Sequence, residues 1–260
     1  MDAEIYLDNN SFIHRLDPRT KITVFLLTFV AILLFEDPFW MMPVTFLILL
    51  QLIVSGSLKN LFRIRYILIV LTISSLVLWN FFSKGVTHLF WVFEVESFYY
   101  SIARTLLMVL MVSAGMILIS TTRNEELVLG MIRMGMPYRV GFAISTALRL
   151  VPTIASSTLT ISQAQRSRGL DLDSGGLLDR VRKFMPLLVP VFISTIRNTN
   201  IFAMALESKG FGAREQRTFY LKLEIRAADY LVFAFAFLFV IASITFYFMG
   251  YGRIIGLTRF

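Results

Sequence analysis

The run AADYLVFAFAFLFVIASITFYFMG, residues 227–250, has no charge after Asp229 and contains Phe or Tyr throughout. It is longer than the roughly 20 apolar residues that an α-helix needs to cross a bilayer. The run therefore predicts a membrane-spanning helix. The composition of the whole chain also indicates a membrane protein. Of its 260 residues, 57% are hydrophobic and 16% are charged, and the mean hydropathy is +0.72. A water-soluble domain of this size could not bury so much apolar surface.

Four further apolar runs precede this one. They cover residues 22–35, 39–54, 66–82 and 98–120. The last two have spanning length. The first two are short of the roughly 20 residues required, so they either recruit flanking residues or form a tight helical hairpin that turns at Asp37 and Pro38. We expect an all-α polytopic membrane protein with about five transmembrane helices.

Basic residues are unevenly divided among the segments between these runs. Three precede the first run and three separate the second from the third: Arg15, Arg19, Lys21, Lys59, Arg63 and Arg65. The turn after the first run has only acids, and residues 83–97 carry one lysine against two glutamates. Because Lys and Arg are enriched in cytoplasmic loops, the N-terminus and residues 121–226 are predicted inside, and the C-terminus outside. The acidic N-terminus predicts no cleaved signal peptide.

Residues 121–226 form the most basic part of the chain. Fifteen of the 25 Lys and Arg residues and eight acidic residues lie there, which gives a charge near +7. We therefore divide the chain into an N-terminal membrane domain (1–120), a cytosolic helical domain (121–226) and a C-terminal transmembrane helix (227–260). The charge indicates topology first and an acidic protein partner second. Nucleic acid is disfavoured because no basic face carries interleaved aromatic residues.

Helix breakers divide this basic segment. Thr122 and Glu125 have capping-box spacing, which predicts a helix to about residue 134. A long helix is expected at 138–168 with a kink at Pro152 and an end at Gly169. A turn at 171–176 and a short amphipathic helix at 177–184 should follow. A second long helix should follow Pro186 and run from about 187 to 209. Both long helices start apolar and end polar, so we expect them to lie along or beneath the bilayer.

The two long helices end in one motif, A-x-x-S-[R/K]-G. Its residues are Ala164, Arg166, Ser167, Arg168 and Gly169 in the first copy, and Ala205, Glu207, Ser208, Lys209 and Gly210 in the second. Helix capping alone explains a cation and a glycine at one helix end. Agreement at four positions in two places favours a further role in docking. The small residues let a helix end approach a partner closely, and the cation can reach a carboxylate in a groove.

Several sequence patterns argue against a catalytic, metal-binding or ATP-binding role for this chain. Asp171 and Asp173 could form a metal site, but no His is near and Ser-Gly-Gly follows, which favours a capping turn. The sequence has no G-x-x-x-x-G-K-[S/T] motif and no cysteine. Arg104 is close enough to its helix start to snorkel, and mid-membrane carboxylates typical of ion-coupled carriers are absent. We expect no catalytic residue, metal or cofactor, and an energy source elsewhere.

In order along the chain, these motifs resemble the T component of energy-coupling factor (ECF) transporters. They are residues 14–21 (HRLDPRTK), 122–126 (TRNEE), 135–137 (GMP), 148–152 (LRLVP), 163–169 (QAQRSRG), 185–190 (MPLLVP) and 205–211 (ALESKGF). The resemblance runs from about His14 to the last apolar run. Two departures concern the helix ends. Ser167 and Ser208 replace the usual Ala, and Lys209 replaces the typical Arg, which exchanges a bidentate fork for a point charge.

The resemblance implies a role for both helix ends. Residues 167–169 and 208–210 would insert into grooves on two ABC-type ATPase subunits, which bind the ATP and Mg. The remaining motif residues, with Pro152 and Pro186, would support these ends. The same chain would hold a small membrane S component that captures a vitamin or a transition-metal ion such as cobalt or nickel. The expected location is a prokaryotic cell membrane, and the chain itself would be a coupler without enzymatic activity.

Two other functions remain open on the residues alone. One is a permease with its own substrate pathway, which would bind substrate as a purified chain. The other is an intramembrane enzyme such as a lipid-modifying transferase. An enzyme would need a polar catalytic cluster near the interface, and only Asp171 and Asp173 are candidates for it.

Overall fold

The computed structural model describes residues 6–7, 9, 11–82, 88–90, 93–170, 176–213 and 223–252. The helices in this part of the chain are α1 (Pro18–Leu34), α2 (Met42–Ser55), α3 (Leu58–Arg63), α4 (Arg65–Phe82), α5 (Val95–Thr121), α6 (Asn124–Arg133), α7 (Tyr138–Ser167), α8 (Leu177–Ser208) and α9 (Ala227–Phe248). Two short strands, β1 (His88–Phe90) and β2 (Phe93–Glu94), pair antiparallel between α4 and α5. The prediction of an all-α membrane protein is confirmed, with this small unpredicted hairpin added.

The chain divides into two compact units, residues 1–137 with 223–260, and residues 138–222. In the first unit, α1 packs against α5, α6 and α9, and α5 also packs against α2 and α4. The buried cluster draws on four of these helices, for example Ile32, Ile48, Leu107 and Val240. This division does not coincide with the predicted boundary at residue 121, because α6 packs on α1. The functional division into domains stays a prediction.

The first helix begins where its sequence provides a cap. The Asp17 carboxylate accepts a hydrogen bond from the Arg19 N–H at 2.9 Å, and Pro18 occupies the first helical position. Asp, Ser, Thr and Asn are favoured at the cap, and proline fits the first turn because its missing N–H would have no partner there. α1 therefore recruits four residues before the apolar run 22–35. The turn after it forms as predicted, with the Phe39 N–H donating to the Asp37 carboxylate at 2.9 Å.

Within the described residues, five helical segments are long and apolar enough to cross a membrane. They are α4, residues 97–121 of α5, α7, residues 183–208 of α8, and α9. The chain is therefore a multi-pass membrane protein. Three of these segments match the predicted runs 66–82, 98–120 and 227–250. By length and composition, α7 and α8 could also cross the membrane, although we predicted them outside it. Their position relative to the membrane stays a prediction, as does the orientation of the N-terminus.

The second unit contains α7 and α8, which pack against each other. The prediction of two helices divided at Pro186 is wrong, because α8 is continuous with Pro186 and Pro190 inside it. A proline removes one backbone hydrogen bond and strains the preceding turn. Leu187 is buried beside it, and such packing stabilises a helix beyond its local propensity. Asp171 and Asp173 lie outside the described residues.

The predicted capping box at the start of α6 does not form. The residue before the helix is Arg123, whose side chain makes no capping hydrogen bond. Thr122 lies one position too early, and its buried hydroxyl has no hydrogen-bond partner among the described residues. Thr121 and Thr122 are both buried. Their side chains therefore pack inside the first unit, and neither caps α6. The predicted end of α6 near residue 134 is confirmed.

Candidate functional site

The motif A-x-x-S-[R/K]-G ends both α7 and α8 with the same backbone geometry. At the α7 end, Gly169 N–H donates to Arg166 C=O at 3.0 Å and Leu170 N–H to Gln165 C=O at 3.1 Å. At the α8 end the corresponding pairs are Gly210 with Glu207 and Phe211 with Leu206, both at 2.9 Å. This pair of bonds is the Schellman motif. The two glycines have φ of +91° and +73°, a conformation that disfavours any residue with a side chain.

Capping alone does not distinguish these two helix ends. α6 and α9 close with the same pair of bonds at Gly135 and Gly250, which also have positive φ. The glycine of each motif is therefore a helix terminator of the kind that this chain uses repeatedly. Any further role of Gly169 and Gly210 depends on the neighbouring side chains of the motif.

Those side chains are all exposed. This holds for Ala164, Arg166, Ser167, Arg168, Gly169, Ala205, Glu207, Ser208, Lys209 and Gly210. The two hydroxyls turn back onto their own helices, Ser167 Oγ donating to the Gln163 C=O at 3.1 Å and Ser208 Oγ to the Ala205 C=O at 2.9 Å. Arg168 and Lys209 have no ion-pair partner in the described part of the chain. Each helix end therefore presents small side chains and one unpaired cation. We refer to residues 164–169 and 205–210 as the first and second tip.

The two tips lie far apart within the second unit. Phe211, directly after the second tip, packs on Phe142 near the start of α7 with ring centroids 4.4 Å apart. The first tip ends α7, 25 residues beyond Phe142. At 1.5 Å per residue this is about 38 Å along the helix axis, and bending at Pro152 would shorten it. One groove cannot receive both tips.

A second polar cluster in the first unit joins distant parts of the sequence. Asp229 Oδ1 accepts a hydrogen bond from Asp17 N–H at 2.8 Å, and Asp229 Oδ2 accepts one from Arg226 N–H at 2.8 Å. Lys21 Nζ donates to Thr121 C=O at 2.8 Å and to His14 C=O at 3.0 Å. The cluster thereby connects the segment before α1, the end of α5 and the start of α9.

Little in the sequence indicates this cluster. Asp17 and Lys21 belong to the motif at residues 14–21, and Asp229 is the last charge before an apolar run. The one sequence signal was the position of Asp229 in the first turn of its helix, where a carboxylate can accept backbone N–H groups. Nothing in the sequence indicated that its other oxygen accepts from a residue 212 positions away.

Arg104, which the sequence suggested could snorkel to the membrane surface, contacts an acidic and two aromatic side chains in the structure. Its guanidinium lies 3.9 Å from the Glu36 carboxylate and 4.8 Å from the Tyr100 ring centroid. The Trp79 ring centroid is 5.7 Å away. The cation is therefore stabilised by an ion pair and two aromatic faces, which connect the turn after α1 with α4 and α5. No metal-binding group of His, Asp and Glu is found in the described ranges, and the absence of metals and cofactors stays a prediction.

These features define a multi-pass membrane protein with two exposed cationic helix ends. Comparison with known proteins gives the family. Residues 9–220 match the family model described as CbiQ, cobalt transport protein. The chain is similar to the energy-coupling factor transporter transmembrane protein EcfT of three bacteria. It is 32% identical to that of Thermosediminibacter oceani (92% of this chain, 95% of the relative), 31% to that of Listeria innocua (86% and 89%) and 30% to that of Lactobacillus helveticus (90% and 90%).

The chain belongs to this family of transport proteins, as the motifs along its sequence predict. It is a transmembrane transport component and not an enzyme. The positions of the ten named motif residues are compatible with docking, but neither the fold nor the comparisons test that role.

Proposed function

We propose that this chain is the coupling subunit of an ECF-type importer in a prokaryotic cell membrane. It joins two ABC-type ATPase subunits to a small membrane S component that captures a vitamin or a transition-metal ion. ATP and Mg bind to the ATPases. The chain transmits the motion that hydrolysis produces and forms no bond itself. The relatives are named as transmembrane proteins of such transporters.

The observation that carries the proposal is the pair of matching tips on one helix pair. Each tip is exposed, and each presents an unpaired cation. Their separation of about 38 Å along α7 suits two similar grooves on two subunits better than one groove. A helix end with small residues can enter such a groove, and a carboxylate there would form a charge-assisted hydrogen bond with Arg168 or Lys209.

The proposed orientation puts the N-terminus and the second unit in the cytoplasm. The distribution of Lys and Arg supports it, and so does the need of both tips to reach ATPases. α7 and α8 then lie along or beneath the cytoplasmic face, although their length and composition would also permit them to span. Their apolar residues would contact lipid, the S component or the ATPases.

Retention of ATPases by charge-reversed tips tests this function. The chain is tagged, co-expressed with its ATPase subunits and purified as Arg168→Glu, Lys209→Glu and the double variant. Loss of one partner of a buried charge pair costs about 2–5 kcal/mol of binding, so each single variant should retain less ATPase and the double variant none. Loss of a favourable helix-end charge alone costs about 0.3–1 kcal/mol and should release no subunit.

Lys59→Glu is the matched control, since Lys59 is an exposed cation of α3 in the first unit. This variant makes the same change in charge at a residue that belongs to neither tip and should retain both ATPases. Membrane insertion of each variant is checked separately. Full ATPase retention by the double variant would contradict the docking role and leave capping as the function of the repeat. Transport by the purified chain alone would favour a permease instead.

A further inference from the structure

The short helix α3 has a polar side chain on its inner face and an apolar one on its outer face. Asn60 is 2% exposed, and its Nδ2 donates a hydrogen bond to Ser120 Oγ at the end of α5 at 2.8 Å. Ser57, directly before α3, is also buried. Phe62, two residues after Asn60, is 67% exposed. A helix on a water-facing surface shows the reverse pattern, so the outer face of α3 is suited to contact with lipid.

Three cations lie beside Phe62. Lys59, Phe62 and Arg63 have the spacing of one helix face, and Arg65 follows at the start of α4. All three cations are exposed, and none has an ion-pair partner in the described part of the chain. The sequence has no Asp or Glu between residues 37 and 94. Hydrocarbon would not solvate the cations, and water disfavours the exposed phenyl ring. The membrane interface, where headgroups adjoin acyl chains, suits both.

α4 continues this surface into the membrane. It begins at Arg65 and is long and apolar enough to span. The Arg65 guanidinium lies 5.0 Å from the Tyr66 ring centroid, and its Nη2 donates to the Tyr66 hydroxyl at 3.2 Å. Tyr66 is 69% exposed, and Ile67 and Val70 after it are exposed as well. A tyrosine and an arginine at the start of a spanning helix are typical of the headgroup level of a bilayer.

We propose that the surface formed by Lys59, Phe62, Arg63, Arg65 and Tyr66 binds the headgroups of anionic glycerophospholipids. We call these five residues the headgroup surface. An arginine fork matches two phosphate oxygens, and lysine supplies a point charge. The two aromatic rings lie at the level of the ester groups and the upper acyl chains. In a zwitterionic lipid a cationic group cancels the phosphate charge, so the three unpaired cations select lipids with a net negative charge.

Hydrogen bonds within the first unit assign the headgroup surface to one leaflet. Asn60 bonds to Ser120, and the next carbonyl, that of Thr121, accepts from Lys21 near the start of α1. The segment at the start of α1 bonds in turn to the first turn of α9. α4 and α9 therefore begin at the same end of the bundle, and their first residues face the same leaflet. The proposed lipid binding does not depend on the proposed coupling function.

Fluorescence quenching by brominated lipids tests the headgroup surface. Cysteine carrying a bimane label replaces either Ile67, next to the surface on α4, or Leu231, an exposed residue near the start of α9. The full chain is reconstituted in phosphatidylcholine vesicles that contain dibrominated phosphatidylglycerol or, at the same mole fraction, dibrominated phosphatidylcholine. At position 67 the brominated phosphatidylglycerol should quench roughly twofold more or better, and at position 231 both lipids should quench equally. Equal quenching at position 67, or the same preference at position 231, would overturn the proposal.

Charge variants of the Ile67→Cys chain sharpen this test. The triple change Lys59→Gln, Arg63→Gln and Arg65→Gln should abolish the preference for phosphatidylglycerol. The matched triple change Lys59→Arg, Arg63→Lys and Arg65→Lys conserves the charge and should retain it. A preference that survives the neutral triple change would overturn the role of these cations. Release of the ATPases by the neutral variant, with its lipid preference unchanged, would assign the surface to a protein partner instead. The comparison of the two lipids at position 67 remains decisive even if a triple variant does not fold.

Discussion

Phe211 packs on Phe142 with ring centroids 4.4 Å apart, so the residue that follows the second tip is anchored near the start of α7. The Tyr138 ring lies 6.4 Å from the same Phe211 ring. The first tip is followed instead by Leu170, which has no aromatic ring to make such a contact. The second tip is therefore fixed to its unit by side-chain packing as well as by its backbone cap.

Phe211→Ala should loosen the second tip without unfolding the unit. Phe211 is 38% exposed, so its removal should cost about 1–2 kcal/mol, which combines partial burial with the aromatic contact. Hydrogen exchange of residues 205–211 should become faster, while that of residues 164–169 should change little. Phe192→Ala on α8 is the control, since Phe192 is 63% exposed. Equal effects of the two substitutions would show that the contact with Phe142 does not anchor the tip.

Exchange of the two cations should alter ATPase binding in opposite directions. Arginine offers a planar fork for bidentate contact with a carboxylate, and lysine offers a point charge. Lys209→Arg should therefore tighten binding at the second tip and Arg168→Lys should weaken it at the first, each by about 1 kcal/mol, or roughly fivefold in affinity. Titration of the reconstituted chain with purified ATPase measures both. An unchanged affinity in both variants would mean that the side chain reaches no carboxylate.

Cysteine labelling tests the orientation, since the chain has no cysteine of its own. Met134 follows α6 and is 48% exposed, and Phe39 in the turn between α1 and α2 is 74% exposed. With the N-terminus in the cytoplasm, Met134→Cys should react with an impermeant maleimide only after the membrane is permeabilised. Phe39→Cys should react in intact cells. The reverse pattern would invert the topology, and with it the location of both tips.

Sequence alone predicts the parts of this fold that depend on local pattern. α4, α5 and α9 follow from long apolar runs, and the ends of α6 and α7 follow from glycine and proline. The continuity of α8 through Pro186 could not be predicted, because a proline locally disfavours the interior of a helix. The tip motifs are visible as a repeat. The separation of the tips is visible only in the structure, where Phe211 lies against Phe142, and no sequence period encodes that contact.

Asp229 should contribute strongly to the stability of the first unit. Its two carboxylate oxygens accept the N–H groups of Asp17 and Arg226, each at 2.8 Å, and the residue is 1% exposed. Asp229→Ala would leave both donors without their acceptor. Each lost hydrogen bond to a charged group is worth about 1.5–3 kcal/mol, so the melting temperature of the purified chain should fall by several degrees. Asp229→Asn keeps one carbonyl oxygen and should cost less.

Asp37→Ala is the matched control for this loss. The Asp37 carboxylate also accepts a backbone N–H, that of Phe39 at 2.9 Å, but this bond is exposed. Water can replace an exposed acceptor and cannot easily reach a buried donor, so the control should lower the melting temperature by much less. A thermal shift for Asp229→Ala no larger than that for Asp37→Ala would show that α9 is held to α1 by apolar packing alone. If the cluster acts as argued, proteolysis of Asp229→Ala should also cut first near residues 223–226, where the start of α9 would come loose.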